Sequence, residues 1–176
     1  MKARFPRIVS MISKVRLTKR VLAGAAVVAA ISAGLAFGTT GSGTQSTLVG
    51  RATFSDPINV RRVGDDHWKV DVKAKPALDV AVQTIVFQPG GQSGWHSHPG
   101  PVFISVASGT MTFYEADDPD CEPIVRHAGE GYLDTGDHAH IARNETGEPA
   151  TNVVTYFAPP GAALRIDQPD PGHCSF

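Results

Sequence analysis

Short β-like segments, separated by turns of glycine, proline and aspartate, follow one another along most of this 176-residue chain. No stretch after Phe37 keeps the 3.6-residue apolar period of a capped helix. Residues 102–107 end at Ser108-Gly109 and a further segment follows at 110–114, which predicts a hairpin. The other candidate strands are 67–72, 79–87, 123–127, 132–134, 138–144 and 152–158. This pattern predicts an all-β antiparallel protein, either a sandwich or a small barrel.

The first 37 residues have the composition of an export signal. Residues 1–20 contain seven basic side chains and no acid, and residues 21–37 contain no charge. A positive region, an apolar stretch and then small residues, here Gly34-Leu35-Ala36, are typical of a cleavable signal peptide. A retained membrane anchor is the second interpretation and a buried core helix the third. Both leading interpretations predict an exported protein, either secreted or anchored by a transmembrane helix.

The sequence predicts three parts: a signal peptide or anchor (1–37), a flexible linker rich in Gly, Ser and Thr (38–47), and one folded domain (48–176). Without its first 20 residues the chain has nine basic and seventeen acidic side chains, a formal charge of −8. A body this acidic argues against a nucleic-acid partner, because such binding rests on clustered Lys and Arg. Membrane contact is expected only through residues 21–37, if they are not cleaved.

The chain has two cysteines, Cys121 and Cys174. An even number of cysteines in an exported domain favours one disulfide bond, which would pin the C-terminal tail to the loop around residues 117–121. Two free thiols are the alternative. A cysteine-based metal site is less favoured, because neither residue belongs to a C-x-x-C pair.

Four of the seven histidines form two pairs, His96/His98 and His138/His140. Side chains two positions apart on a strand point to the same face, so each pair can aim two imidazoles at one point. Three or four rings converge if the two strands face each other inside a barrel. Neutral imidazole is a ligand for Fe, Ni, Cu and Zn. The alternative for these pairs is ordinary polar residues at a barrel rim, with no metal bound. For His67, His127 and His173 a surface or structural role is favoured.

The sequence around these pairs resembles the two motifs of the cupin superfamily. Gly90, His96, His98 and Gly109 match the first motif, and Gly129, His140 and Asn144 match the second. The resemblance covers about residues 79–158 and implies an antiparallel jelly-roll β-barrel with one divalent transition metal (Fe, Mn, Ni, Cu or Zn) inside its mouth. It also implies a small-molecule substrate or ligand, and a homodimer would be common in the family.

Two features depart from the cupin pattern. The glutamate ligand of the first motif would fall at position 102 or 103, where this chain has Val102 and Phe103. The turn of the second motif has Thr135 and Asp137 where proline and glycine are usual. Losing the carboxylate leaves a three-histidine site that looks like that of thiol-dioxygenase-type cupins. His138 is a candidate fourth ligand, with a rim position as the alternative.

Several other side chains are candidates for the cavity around the metal. Trp95 is interpreted as a packing residue at the mouth, with substrate stacking as the alternative. Tyr114, Tyr132 and Tyr156 are candidates for positioning a substrate, and Asn144 is the closing residue of the second motif. No catalytic residue is identified. Two functions remain open: an oxygenase-like or isomerase-like enzyme, and a non-catalytic module that binds a small ligand or a metal.

Overall fold

The computed structural model describes residues 38–176, so the predicted signal or anchor lies outside the described residues. The described part is all β, with no helix between residues 38 and 176. Its strands are β1 (Ser42–Phe54), β2 (Ile58–Val63), β3 (Lys69–Ala74), β4 (Leu78–Gln92), β5 (His96–Ser97), β6 (Val102–Ser108), β7 (Thr110–Glu115), β8 (Ile124–His127), β9 (Gly131–Asp134), β10 (His140–Arg143), β11 (Ala150–Ala158) and β12 (Ile166–Asp167). A search of residues 38–176 for a helix able to cross a membrane finds none.

Ten of the strands form one antiparallel sheet that folds into a nearly closed barrel. One wall has the strand order β1-β4-β11-β6-β9, and the other has the order β12-β5-β10-β7-β8. The walls join where Arg143 pairs with Gln92 at the end of β4. Strands β2 and β3 form a separate hairpin. This architecture confirms the predicted antiparallel jelly-roll barrel.

Alternating burial along the strands places the core between the two walls. Strand β11 alternates buried and half-buried residues along its whole length, and β9 alternates exposed and buried residues. The period of two in the side-chain direction explains this pattern, because one face of each strand looks inward. The largest apolar side chains of the core cluster are Phe87, Met111, Phe113, Tyr132 and Tyr156.

The predicted flexible linker, residues 38–47, is wrong in its second half, because Ser42–Thr47 belong to β1. The backbone of this segment pairs with β4, as in the partners Thr44 and Phe87. All thirteen side chains of β1 are exposed. Small polar residues are therefore compatible with this edge strand, since backbone hydrogen bonds rather than side-chain packing hold it in place.

The predicted hairpin at Ser108-Gly109 is also wrong. Strand β6 pairs with β9 and β11, whereas β7 pairs with β8 and β10. The turn therefore carries the chain from one wall to the other. Gly109 has a φ of 76°, and a Cβ atom at this position would lie 2.8 Å from the side chain of Ala150. Glycine is required here by both the backbone conformation and the close approach of the opposite chain.

Candidate metal centre

The barrel brings His96, His98 and His140 together between β5 and β10. His96 begins β5 and pairs directly with His140, which begins β10. The ring centroids of His96 and His140 are 4.5 Å apart, those of His96 and His98 are 4.8 Å apart, and those of His98 and His140 are 5.2 Å apart. All three side chains are buried. The predicted convergence of the three rings is therefore present in the fold.

Backbone carbonyls fix the protonation of two of these rings. The Nδ1 atom of His96 lies 2.8 Å from the carbonyl oxygen of Gly94, and that of His98 lies 2.5 Å from the carbonyl oxygen of Leu164. A carbonyl only accepts hydrogen bonds, so Nδ1 carries the proton in both neutral rings. The lone pairs of the two Nε2 atoms are thereby left for a metal ion.

The electrostatics of the cluster also suit a metal. Burial lowers the pKa of His96 to about 3, with a smaller contribution from the charge of Arg165. Burial likewise lowers the pKa of His98 and of His140. Neutral imidazoles are the form that ligates metals. One ligand atom from each of the three residues lies within 4.8 Å of the others, so the residues present fit a divalent transition metal with nitrogen ligands.

Asp134 lies beside the cluster and was not identified from the sequence. It ends β9 and is fully buried. Its Oδ1 accepts a hydrogen bond of 2.8 Å from the backbone N–H of Gly136, and its Oδ2 lies 3.3 Å from Nδ1 of His140 and 3.6 Å from Nε2 of His98. Burial raises the pKa of the Asp134 carboxyl. One feature of the sequence could have identified Asp134. It lies two residues after Tyr132 on the same predicted strand, so the two side chains share the inward face.

His138, the candidate fourth ligand, is not part of the three-histidine cluster. It precedes β10 and is not among the three residues whose ligand atoms converge. Its Nε2 lies 2.6 Å from the Glu115 carboxylate and its Nδ1 lies 2.9 Å from that of Asp137. Partial burial lowers the pKa of His138, but the neighbouring carboxylates of Asp137 and Glu115 raise it. The net shift of this pKa is upward. Both ring nitrogens of His138 thus face carboxylates, and the structure does not place His138 as a fourth ligand beside the three-histidine cluster.

A cavity of about 370 Å³ opens beside the cluster, between β1 and the barrel mouth. His96 and His98 line it together with Gln83, Tyr156 and Arg165. The Tyr156 hydroxyl donates a hydrogen bond of 3.0 Å to Oε1 of Gln83, and burial raises the pKa of Tyr156 to about 12. Of the three candidate tyrosines, Tyr156 is thus the one in the cavity lining.

The other two tyrosines lie elsewhere. The ring of Tyr132 stacks on Phe113, and its centroid is 6.0 Å from that of His140, so it contacts the cluster from the core side. Its hydroxyl donates to Glu115. Tyr114 belongs to a separate apolar cluster, and its hydroxyl donates to the Glu145 carboxylate. The structure therefore gives Tyr114 a packing role instead of the predicted positioning role.

Trp95 and Asn144 also have structural roles. Trp95 is 2% exposed and stacks with Phe176 at a centroid distance of 6.3 Å, in agreement with the packing interpretation. Asn144 is buried, and its side-chain amide donates to the carbonyl oxygens of Phe87 and Glu148. It ties the loop after β10 to β4 and does not face the cavity.

The structure pairs Cys121 with Cys174, whose Cα atoms are 5.6 Å apart. The pair packs against the cluster of Trp95, Tyr114 and Ile141. It therefore holds the C-terminal tail on the loop after β7, as the sequence predicts. A pairing of this kind leaves neither sulfur free to bind a metal.

Comparisons with known proteins place the site in a family. The family model described as "Cupin domain" (Cupin_2) matches residues 83–156. A search of curated proteins found no match. Among solved structures, a conserved protein with a double-stranded β-helix domain from Klebsiella pneumoniae subsp. pneumoniae is 19% identical, with a TM-score of 0.43 over 64% of this chain and 84% of that chain.

Two enzymes are also among the similar structures. A polyketide cyclase from Streptomyces resistomycificus is 17% identical, with a TM-score of 0.43 over 52% of this chain and 64% of that chain. A sugar phosphate isomerase of the cupin superfamily from Silicibacter pomeroyi is 25% identical, with a TM-score of 0.37 over 43% of this chain and 48% of that chain.

The chain thus spans less than two thirds of the length of either enzyme. No activity is transferred from these enzymes to this chain, because one fold hosts many unrelated functions. The family model, in contrast, covers the strands that carry both histidine motifs. The segment 83–156, which contains the buried cluster of His96, His98 and His140, is a small cupin domain.

Proposed function

We propose that this chain is a metal-dependent cupin protein that holds one divalent transition metal through His96, His98 and His140 and acts on a small organic molecule. The convergence of three buried, neutral imidazoles carries the proposal. Two of them present Nε2 because Gly94 and Leu164 occupy Nδ1. A bound metal supplies Lewis acidity and, if it is Fe, Mn or Cu, redox chemistry as well.

The cavity beside the cluster sets the class of substrate. Its volume of about 370 Å³ is that of a small-molecule site. The apolar side chains of Ile85 and Phe87 share its lining with the polar groups of Gln83, Tyr156 and Arg165. Such a surface suits a compact organic molecule with at least one hydrogen-bonding group, and His96 and His98 lie where that molecule would approach the metal.

Metal content tests the proposal. Wild-type protein is expected to bind about one transition metal per chain, because three nitrogen ligands form a complete protein contribution to such a site. His140→Ala is expected to lose most of that metal, whereas His127→Ala is expected to keep it, since His127 is exposed on β8 and contacts Thr110 instead. Elemental analysis of the three purified proteins measures this. A metal-free wild type, after incubation with each candidate metal, would refute the proposal.

A non-catalytic binding module is the second candidate, and one observation favours it. Among the described residues, the cavity lining contains no carboxylate to act as a general base. Oxygen consumption and product formation by the metal-loaded protein, measured across thiols, phenolics and small sugars, separate the two functions. Turnover that is lost in His140→Ala supports an enzyme. Saturable binding without turnover across the whole panel supports the module.

We also propose that the protein is exported. The basic residues in 1–20 and the uncharged run 21–37 support this, and a disulfide between Cys121 and Cys174 suits an oxidising compartment. Mass spectrometry of the protein from the extracytoplasmic fraction is expected to find an N-terminus near Phe37 for a cleaved signal. Protein found only in the cytoplasm, with Met1 intact and both thiols free, would contradict export.

A further inference from the structure

His140 differs from the other two histidines of the cluster in the partner of its inner ring nitrogen. The Nδ1 atoms of His96 and His98 meet backbone carbonyls. Nδ1 of His140 is fully buried and, within residues 38–176, has no hydrogen bond of regular geometry. Its neighbour is Oδ2 of Asp134 at 3.3 Å. That oxygen is likewise buried without a regular hydrogen bond among the described residues.

Two unpartnered buried atoms of complementary chemistry thus face each other. The other carboxylate oxygen, Oδ1, is occupied by the N–H of Gly136 at 2.8 Å, which fixes the orientation of Asp134. A buried polar atom without a partner costs free energy, and a proton on Nδ1 of His140 satisfies both atoms at once. Nε2 of His140 then keeps its lone pair, as in the other two rings.

The strand register places this acid where the first cupin motif lacks one. Val102 occupies a position at which the motif would carry its glutamate, and β6 and β9 pair with Val102 directly opposite Asp134. Directly paired residues on antiparallel strands have their side chains on the same face, with Cβ atoms about 5 Å apart. The carboxylate therefore enters the same inward layer from the neighbouring strand.

We propose that Asp134 is a positioning residue of the metal centre: its Oδ2 accepts the Nδ1–H of His140 and thereby fixes Nε2 of His140 as the ligating nitrogen. This inference rests on the proposed metal function. Position 134 is not one of the positions that define either cupin motif. A carboxylate that accepts the N–H of a ligating imidazole orients the ring and raises its basicity.

Asp134→Asn tests the assignment with almost no change in shape. The amide oxygen still accepts from Gly136, so the amide NH₂ faces His140 and can only donate. Nδ1 of His140 must then accept, which moves the ring proton to Nε2 and blocks the ligating lone pair. We expect the variant to bind Zn²⁺ about 10- to 100-fold more weakly than the wild type. Competition with a chromophoric chelator measures this affinity.

Asp79→Asn is the matched control. Asp79 is another buried aspartate, but it contacts Arg51, Thr53 and Gly161 rather than the histidines. The control is expected to bind Zn²⁺ as tightly as the wild type. Unfolding midpoints of the metal-free proteins show whether each variant is folded.

Nitrogen-15 spectra of the metal-free proteins provide a second measurement that needs no metal. We expect His140 to carry its proton on Nδ1 in the wild type and on Nε2 in Asp134→Asn. A wild-type proton on Nε2 overturns the assignment, even if the variant does not fold. Weaker Zn²⁺ binding with an unchanged tautomer also overturns it, because Asp134 would then act as a direct ligand. A wild type that binds no metal refutes the proposed function instead, which the Zn²⁺ titration shows separately.

Discussion

Asn144 is expected to stabilise the fold without taking part in metal binding, although the cupin motif includes it. The residue follows β10 and is 1% exposed. Its Nδ2 donates to the carbonyl oxygens of Phe87 at 3.1 Å and Glu148 at 2.8 Å. Its Oδ1 accepts from the N–H and the hydroxyl of Thr146 at 3.1 and 2.7 Å. Asn144→Ala removes all four hydrogen bonds.

The cost of this substitution follows from the burial of each partner. The bond to Phe87 is buried, and the other three are partly buried, where water can replace the lost partner. Losing the buried bond to Phe87 costs about 1–3 kcal/mol, and each of the other three bonds contributes about 0.5 kcal/mol. We therefore expect Asn144→Ala to lower the free energy of unfolding by about 3 kcal/mol. For a domain of this size the corresponding decrease in Tm is about 10 °C.

Urea unfolding of the metal-free protein, with an unchanged m-value, measures this loss. Thr146→Val is the control, because it removes the hydroxyl's bonds to Asn144 and Glu148 but keeps the buried bond from Asn144 to Phe87. It is expected to cost about 1 kcal/mol, less than Asn144→Ala. Both variants are expected to keep the Zn²⁺ affinity of the wild type. An Asn144→Ala protein that is as stable as the wild type but binds Zn²⁺ weakly would refute the structural role and place Asn144 in the site.

Two further predictions concern stability. Cys174→Ser removes a cross-link between positions 53 apart and is expected to lower the free energy of unfolding by about 4 kcal/mol. A wild-type intact mass that does not change on reduction would contradict this disulfide bond. Hydrogen bonds from Thr53 and Gly161 lower the pKa of Asp79 in the folded protein. Its ionised form therefore stabilises the fold above the unfolded pKa of about 4 and ceases to do so as the pH falls through the lower folded value. Urea unfolding between about pH 2 and 6 is expected to show that the free energy of unfolding of the wild type falls with pH, and that it falls less in Asp79→Asn. The same pH dependence in both proteins would contradict the stabilising role of ionised Asp79.

The sequence predicts many of the strands because short β-like segments are bounded by turns of glycine, proline and aspartate. Residues 102–107, 110–114 and 152–158 lie in strands β6, β7 and β11 of the structure. The convergence of His96 with His140 is also predictable, since both pairs of histidines lie in turn-bounded segments of a small barrel. The paired register of these two residues confirms it.

The features that the sequence does not predict depend on partners far away in the chain. Residues 42–47 read as a linker because they are rich in Gly, Ser and Thr, whereas backbone pairing with the distant strand β4 makes them a strand. The turn at Gly109 reads as a hairpin because local residues cannot show that β6 and β7 pair with different strands. His138 does not join the cluster because its ring lies between the carboxylates of Glu115 and Asp137, and the i, i+2 spacing does not show these partners.

Asp134 is the most informative of the missed residues, because a motif records order along the chain whereas a metal centre depends on position in space. Positions 102 and 134 are 32 residues apart in sequence but directly opposite each other in the barrel, and both are fully buried. Like charges directly opposite on paired strands destabilise a sheet, so this inward layer has room for one carboxylate and not for two. A carboxylate at position 134 is therefore accommodated best opposite an uncharged residue, and the valine at position 102 meets this requirement.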